Sequence, residues 1–367
     1  MREKWYILCL VEKGVLFLKK WVLFSVVSVF IFLLSACSDS GEKASTEKSK
    51  GLEASIESAS YIVSESDDGV SENENLAIMA IHLKVKNLSD SPMRLSGYDG
   101  IKLYDGEQQI NINPELYNHD IGLDIDTGGS IGAGKSKTVL AIFEVTKDKE
   151  YEMGLNPLFD NPEEESEELV LKLDTKKYAA SYETLQDPAK ALKAYVDQIY
   201  YNKENPDYEQ LVSADKPVLQ ESAQEAFETE INKVFDKKLD DTDIEKLYAT
   251  YRDILAEKAE VNATTIANAN DKAIVEVEVS TPSLKTLYED VYEYEREFRE
   301  NTGSYDSQEI DKYVLSKLPK ILNALEVNEL SDPVEVSLTK KDGKWTIEAV
   351  DKYGESLDTV FVKGSSY

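Results

Sequence analysis

Only two cysteines and two histidines occur in 367 residues. Both cysteines, Cys9 and Cys37, stand near the start. The body of the chain therefore has no disulfide and no thiol ligand, and must rest on ordinary apolar cores. The histidines, His82 and His119, are far apart in sequence and neither has an evident partner. Surface or core packing is the default reading for each. No zinc-type ligand spacing occurs, and no Gly-x-Ser-x-Gly nucleophile stands in a credible context. Positive charge is scarce: 41 Lys and Arg face 71 Asp and Glu, a formal charge of −30. Without residues 1–36 the balance is 36 against 69, or −33. A surface this acidic repels nucleic acid and anionic headgroups. Apolar length is scarce too. One run, Trp21 to Leu34, stands out, and it is short of the roughly 20 residues that a spanning helix needs. No repeat of fixed period is present.

What the run does have is the layout of a secretory signal. Lys13, Lys19 and Lys20 precede it and small residues follow. It ends in Leu34-Ser35-Ala36-Cys37, which resembles the lipobox of bacterial lipoproteins. The resemblance implies that the Cys37 thiol receives diacylglycerol and that cleavage leaves Cys37 as the first mature residue. The chemistry fits. Small side chains suit a narrow protease site, and a thiolate is the good nucleophile that can take the lipid. The bland alternative is an uncleaved anchor helix with a chance cysteine. Met1 to Gly14 reads as an upstream extension, with the natural start nearer Val15. The expected organisation is a signal peptide over 1–36, a lipidated cysteine and flexible tether over 37–50, a β-domain over 51–175, a linker over 176–186, an α+β domain over 187–352 and a tail over 353–367. The tether reading rests on Ser, Lys and Glu without aromatics.

Through the first domain the apolar period is two. Ala77, Met79, Ile81, Leu83 and Val85 alternate with residues that include His82, Lys84 and Lys86. Asn87 to Pro92 reads as a turn. Ile101 and Leu103 lead through Asp105-Gly106 to Ile110 and Ile112. Val139, Ala141, Phe143 and Val145 predict another strand, and Leu169, Leu171 and Leu173 a last one. Short strands between regular turn signals indicate an all-β sandwich. The strand ending in Lys84-Val85-Lys86-Asn87-Leu88-Ser89, with Gly134-Lys135-Ser136 before Val139 to Val145, resembles the immunoglobulin-like domain of secreted Gram-positive lipoproteins. That resemblance implies an adhesive or spacer module.

Gly129-Ser130-Ile131-Gly132-Ala133-Gly134-Lys135-Ser136 matches the formula of a phosphate-binding loop. Such a loop needs a buried strand before it and a helix after it. Here an acidic stretch precedes and a β-rich one follows, so a Gly-rich turn before a strand is expected. Asp124, Asp126 and Gly128 hint at a calcium loop, but Lys135 holds the place of the bidentate Glu, and a structural turn is the expectation. The acidic run Glu163 to Glu168 reads as a solvated loop.

In the second domain Asp187-Pro188 opens a helix carrying Leu192, Tyr195, Val196 and Ile199 on one stripe. A loop around Asn205-Pro206 follows. Phe227, Ile231, Val234 and Phe235 mark a second helix. Ile244, Leu247, Tyr248, Tyr251, Ile254 and Leu255 mark a third, with Thr242 as expected cap. Val275, Val277 and Val279 predict a strand. Two helical stretches span 283–326, the later one expected to kink or divide at Pro319. Val334, Val336 and Leu338, then Asp342-Gly343, then Trp345, Ile347 and Ala349 predict a hairpin. Helices on a curved antiparallel sheet make this an α+β domain. Its opening Asp187-Pro188-Ala189-Lys190-Ala191-Leu192-Lys193-Ala194-Tyr195 and closing Lys341-Asp342-Gly343-Lys344-Trp345-Thr346-Ile347 resemble the cone-shaped domain of the nuclear-transport-factor-like superfamily. The two-domain chain as a whole resembles a group of Firmicute lipoproteins of unknown function.

Some cone-superfamily enzymes use Asp, Tyr and His in the pocket. No histidine occurs in this domain, and no spacing singles out an acid–base pair. Tyr288, Tyr292 and Tyr294 offer a sugar- or peptide-binding platform, with core packing plus surface tyrosines as the plainer reading. The leading expectation is a non-enzymatic binding or interaction module of the cell envelope. It is held to the outer face of the membrane by diacylglycerol on Cys37, without a cofactor, facing an envelope protein, peptide or wall component. The alternatives are a solute-binding lipoprotein for a transporter and an extracellular carboxylate-dependent enzyme. A minor one makes the signal end, Phe30 to Ala36, a source of a peptide pheromone.

Overall fold

The computed structural model describes residues 46–64, 75–97, 100–125, 129–348 and 356–363. These described residues form one compact unit. Its first part is built of antiparallel sheets. The strands are β1 (Glu47–Ser49), β2 (Leu52–Ile62), β3 (Leu76–Asn87), β4 (Met93–Arg94), β5 (Ile101–Asp105), β6 (Gln108–Ile110), β7 (Ser136–Thr146), β8 (Glu150–Leu155), β9 (Leu158–Phe159) and β10 (Leu169–Asp174). One sheet runs β1-β2-β3-β7, another β10-β8-β5-β6, and β4 pairs with β9. The alternation does the folding. Met79, Ile81, Leu83 and Val85 point inward from β3, and Val139, Ala141, Phe143 and Val145 do so from β7. They share one core with Leu103, Met153, Leu155 and the three leucines of β10. The expected tether is shorter than its composition suggests, because Glu47, Lys48 and Ser49 pair with Ala54, Glu53 and Leu52.

The second part is α+β. Its helices are α1 (Ala179–Glu183), α2 (Asp187–Ile199), α3 (Pro206–Leu211), α4 (Lys216–Ile231), α5 (Asp241–Lys258), α6 (Leu287–Thr302), α7 (Ser307–Ala324) and α8 (Leu357–Lys363). A five-stranded antiparallel sheet holds β11 (Glu260–Asn268), β12 (Lys272–Pro282), β13 (Val327–Glu329), β14 (Val334–Lys341) and β15 (Lys344–Ile347), ordered β11-β12-β14-β15 with β13 also on β12. The β14–β15 turn is Asp342-Gly343, both at positive φ (52° and 82°), as a two-residue hairpin of the primed type requires. Its far strand buries Trp345 completely. A single core of helix stripes and inner strand residues runs through this part.

Several expectations shift. Asp240, not Thr242, caps α5, with its Oδ1 accepting from the Asp243 N–H at 2.9 Å. Pro319 sits inside α7 without dividing it. The loop at Asn205-Pro206 is the capped start of α3. The stretch expected as linker is ordered: Thr175–Tyr178 is 3-10 helix, α1 follows, and Ser181 Oγ accepts the Tyr61 N–H at 2.9 Å. Within the stretch expected as tail, α8 buries Leu357, Val360, Phe361 and Val362 in the core.

The two parts meet through an apolar patch: Ile62, Ala80, Leu140 and Ile142 from one, Ala267 and Ile274 from the other. Val63 and Asn268 exchange backbone hydrogen bonds of 3.1 and 2.8 Å across it. A register shift between Thr265 and Ala267 marks this end of β11. Such a bulge re-aims the following side chain, and Ala267 is fully buried in the patch.

Candidate functional site

Helices α4 and α5 pack side by side and hold a polar cleft of about 410 Å³ between them. Gln220, Glu221, Gln224, Glu225 and Glu228 line it from α4, and Tyr248 and Arg252 from α5. The spacing is helical on both sides. Residues three and four apart share a face, so Glu221, Glu225 and Glu228 form one acidic ridge. Tyr248 and Arg252 stack, with the guanidinium carbon 5.6 Å from the ring centroid.

The donors on α5 are unpaired. Arg252 Nε and Nη2 and the Tyr248 hydroxyl are buried atoms with no hydrogen-bond partner. Native proteins rarely leave such groups empty, and each costs about 1–3 kcal/mol. Burial, opposed by the Arg252 charge, pushes the Tyr248 hydroxyl up to about 12, so it is a donor at any ordinary pH. Behind the cleft, Asp358 on α8 accepts from Tyr200 (Oη to Oδ1, 2.7 Å) and from Ser222 on α4 (Oγ to Oδ2, 2.9 Å). Phe361 stacks on Tyr200 with centroids 4.4 Å apart. The Tyr251 hydroxyl lies 2.9 Å from the Phe361 carbonyl. These bonds fix α8 and α5 beneath the cleft. A second, more open cleft of about 730 Å³ lies at the start of α4, lined by Tyr208, Ser213, Asp215, Lys216 and Lys344 among others.

The residues singled out in the sequence fall elsewhere. Cys37 and the Leu34-Ser35-Ala36 motif lie outside the described residues, as do Asp126, Gly128 and Ala349. Tyr288 and Tyr292 are exposed on α6, while Tyr294 packs against the core with the Lys320 ammonium 5.7 Å from its ring. The Gly129–Ser136 stretch runs straight into β7, with Ile131 bridging Met93. No helix follows it, so its N–H groups are not aimed as a phosphate loop aims them. His119 has a partner after all: its Nδ1 lies 2.5 Å from Asp124 Oδ1. His82 Nδ1 lies 3.4 Å from Ser58 Oγ. The acidic run is anchored at two points. Glu164 accepts from Ser91 at 2.7 Å, and Glu168 accepts from Tyr104 and Asn156, both at 2.8 Å. Among the described residues no three His, Cys, Asp or Glu side chains group as metal ligands.

The apolar stripe of α5 marks Tyr248 as a packing residue and leaves Arg252, Ser222 and Asp358 unmarked. The signal available was an arginine four residues after a stripe tyrosine. The partners beneath it come from α8, more than a hundred residues away, and no local pattern shows them.

A β-rich part of antiparallel sheets joined to an α+β part with a cleft between two helices defines the class of this protein. Residues 178–362 match a family model described as Domain of unknown function (DUF5105). That match spans half of the chain, and the chain belongs to this family. It is also similar to the "Uncharacterized lipoprotein YcdA" of Bacillus subtilis (strain 168), with 26% identity over 362 residues, covering 95% of this chain and all of that one. The crystal structure of the B. subtilis protein superposes with a TM-score of 0.61 at 25% identity, over 88% of this chain and 100% of that chain. The resemblance to Firmicute lipoproteins of unknown function thus holds for the chain as a whole.

Proposed function

We propose that this protein is a lipoprotein anchored on the outer face of the cell membrane through diacylglycerol on Cys37. There it binds a partner or ligand through its α+β part. The observation that carries the binding role is the set of unpaired donors of Tyr248 and Arg252 in the cleft between α4 and α5. Anchoring is supported by the Leu34-Ser35-Ala36-Cys37 motif and by similarity to a lipoprotein along nearly the whole chain. No described helix is long and apolar enough to cross a membrane. The β-rich part is read as an immunoglobulin-like spacer, and the α+β part as a cone-like domain of the nuclear-transport-factor type. All named strand pairs are antiparallel. That argues against the two parallel α/β lobes of a transporter's solute receptor.

The anchoring test is Cys37→Ala. The variant is expected to leave the detergent phase or to accumulate as precursor, and unchanged partitioning would sink the anchor. The binding test is photo-crosslinking on intact cells with a probe placed at Gln224. A discrete crosslinked species is expected, and no species above background in the wild-type background counts against a binding role.

A further inference from the structure

The cleft between α4 and α5 carries two opposite demands, and together they define a ligand. Nε and Nη2 share one edge of the Arg252 guanidinium, the edge that takes both oxygens of a carboxylate in two parallel hydrogen bonds. Both atoms are buried and unpartnered, out of reach of a water molecule, so a ligand meets them once the Arg252 side chain swings out into the cleft. The Tyr248 hydroxyl, also buried and unpartnered, belongs to a residue that lines the same cleft and is a further donor once that side chain opens toward it. Facing them is the ridge of Glu221, Glu225 and Glu228 on α4, of which Glu221 and Glu225 are exposed. A dianion such as phosphate would satisfy the guanidinium but meet the Glu221 and Glu225 carboxylates, Glu228 being engaged by Asn232 and Lys238. A simple cation would suit the ridge but leave the guanidinium edge empty. A molecule carrying one carboxylate and one ammonium satisfies both and brings no net charge into the cleft. Every residue lining the cleft is polar or charged, apart from the tyrosine ring, so little apolar side chain is asked for. A volume of about 410 Å³ is within the usual range for small-molecule sites.

We infer that this cleft binds a small zwitterion, a free amino acid or the ends of a short peptide. The carboxylate sits on the Arg252 edge and the Tyr248 hydroxyl, and the ammonium on the Glu221–Glu225 ridge. This rests on the binding role proposed above and names the ligand class for that site.

The test is calorimetric titration of the full-length protein in detergent with trialanine, trialanine carboxamide and N-acetyltrialanine. Trialanine is expected to bind, and each blocked form to bind about tenfold more weakly, the loss of one charge-assisted contact. Arg252→Gln is expected to weaken trialanine binding by about tenfold or more, while Arg252→Lys, which keeps charge but not the fork, recovers only part. Combining Glu221→Gln with Glu225→Gln is expected to erase the difference between trialanine and its acetylated form. No heat with millimolar trialanine overturns the inference, and so does equal binding of trialanine and its carboxamide. If Arg252→Gln does not fold, the comparison of blocked and free peptides on the wild type decides alone. Crosslinked partners on cells together with silence toward trialanine would end this inference and leave the broader binding role standing.

Discussion

Tyr248 and Tyr251 are three residues apart on α5 and both are buried, yet their hydroxyls are in opposite situations. Tyr251 lies 2.9 Å from the Phe361 carbonyl, whereas Tyr248 has no partner. Removing a paired buried hydroxyl costs about 1 kcal/mol, while removing an unpaired one relieves a desolvation penalty. Tyr251→Phe is therefore expected to lower stability by about 1 kcal/mol. Tyr248→Phe is expected to leave the unliganded protein as stable or more so. Urea titrations of both variants check this, and a large loss from Tyr248→Phe would mean that its hydroxyl has a structural partner. At the surface, the hydrogen bond that the His119 ring donates to Asp124 raises the His119 pKa above its ordinary value, helped by the charges of Asp124 and Asp120 and opposed by Lys272. The charged ring is favoured by folding. The pair's contribution is thus fully present below the unfolded pKa of about 6.5 and is lost as pH rises through the higher folded value. A proton NMR titration is expected to place the His119 midpoint above that of Asp124→Asn, and identical midpoints would refute the pairing.

Among the elements, the short α8 carries more than its length suggests. Phe361 is fully buried, stacks on Tyr200 at 4.4 Å and meets Tyr201 edge-on at 5.9 Å. Phe361→Ala is expected to cost about 3–5 kcal/mol, as buried aromatic truncations do. The far-ultraviolet unfolding midpoint would show it, and a loss below about 1 kcal/mol would mean that α8 is dispensable. Nothing local in the sequence announces this helix, because two turns after a polar stretch look like any exposed tail. The elements that were legible had strict periods: β3 and β7 with period two, α2 with its stripe, and the Asp342-Gly343 hairpin. The strand β11 was not legible, because Val261, Ala263, Thr265 and Ala267 are small or polar and a bulge breaks their alternation. The order of the connecting stretch was illegible for a related reason. Thr175 to Glu183 lacks a long stripe, and its order comes from contact with β2 through Tyr61, Ser181 and Tyr182. The cleft was illegible as a site, since its donors are recognisable only once burial shows them unpaired.

At the scale of the whole molecule, the question is whether the β-rich part and the α+β part unfold as one body. Their patch is apolar, and it is pinned by the Val63–Asn268 backbone pair and by Asn270 Nδ2 donating to Ser60 Oγ at 2.6 Å. Asn268 also ties the connecting segment, its Nδ2 donating to the Leu185 carbonyl at 3.0 Å. Each part nonetheless has its own large core, so each can hold its fold if the patch is lost. Ala267 is the sensitive position, fully buried and grouped with the patch rather than with either larger core. A carboxylate there would be desolvated without a partner, which costs several kcal/mol. The wild type is expected to melt in one cooperative calorimetric transition. Ala267→Asp is expected to melt in two, since opening the patch relieves the buried charge while both cores survive. Two transitions in the wild type would show that the patch does not couple the parts, which would then be two independent modules. One transition that divides only in the variant makes the β-rich part a rigid mount. It would hold the cleft between α4 and α5 at a set distance from β1.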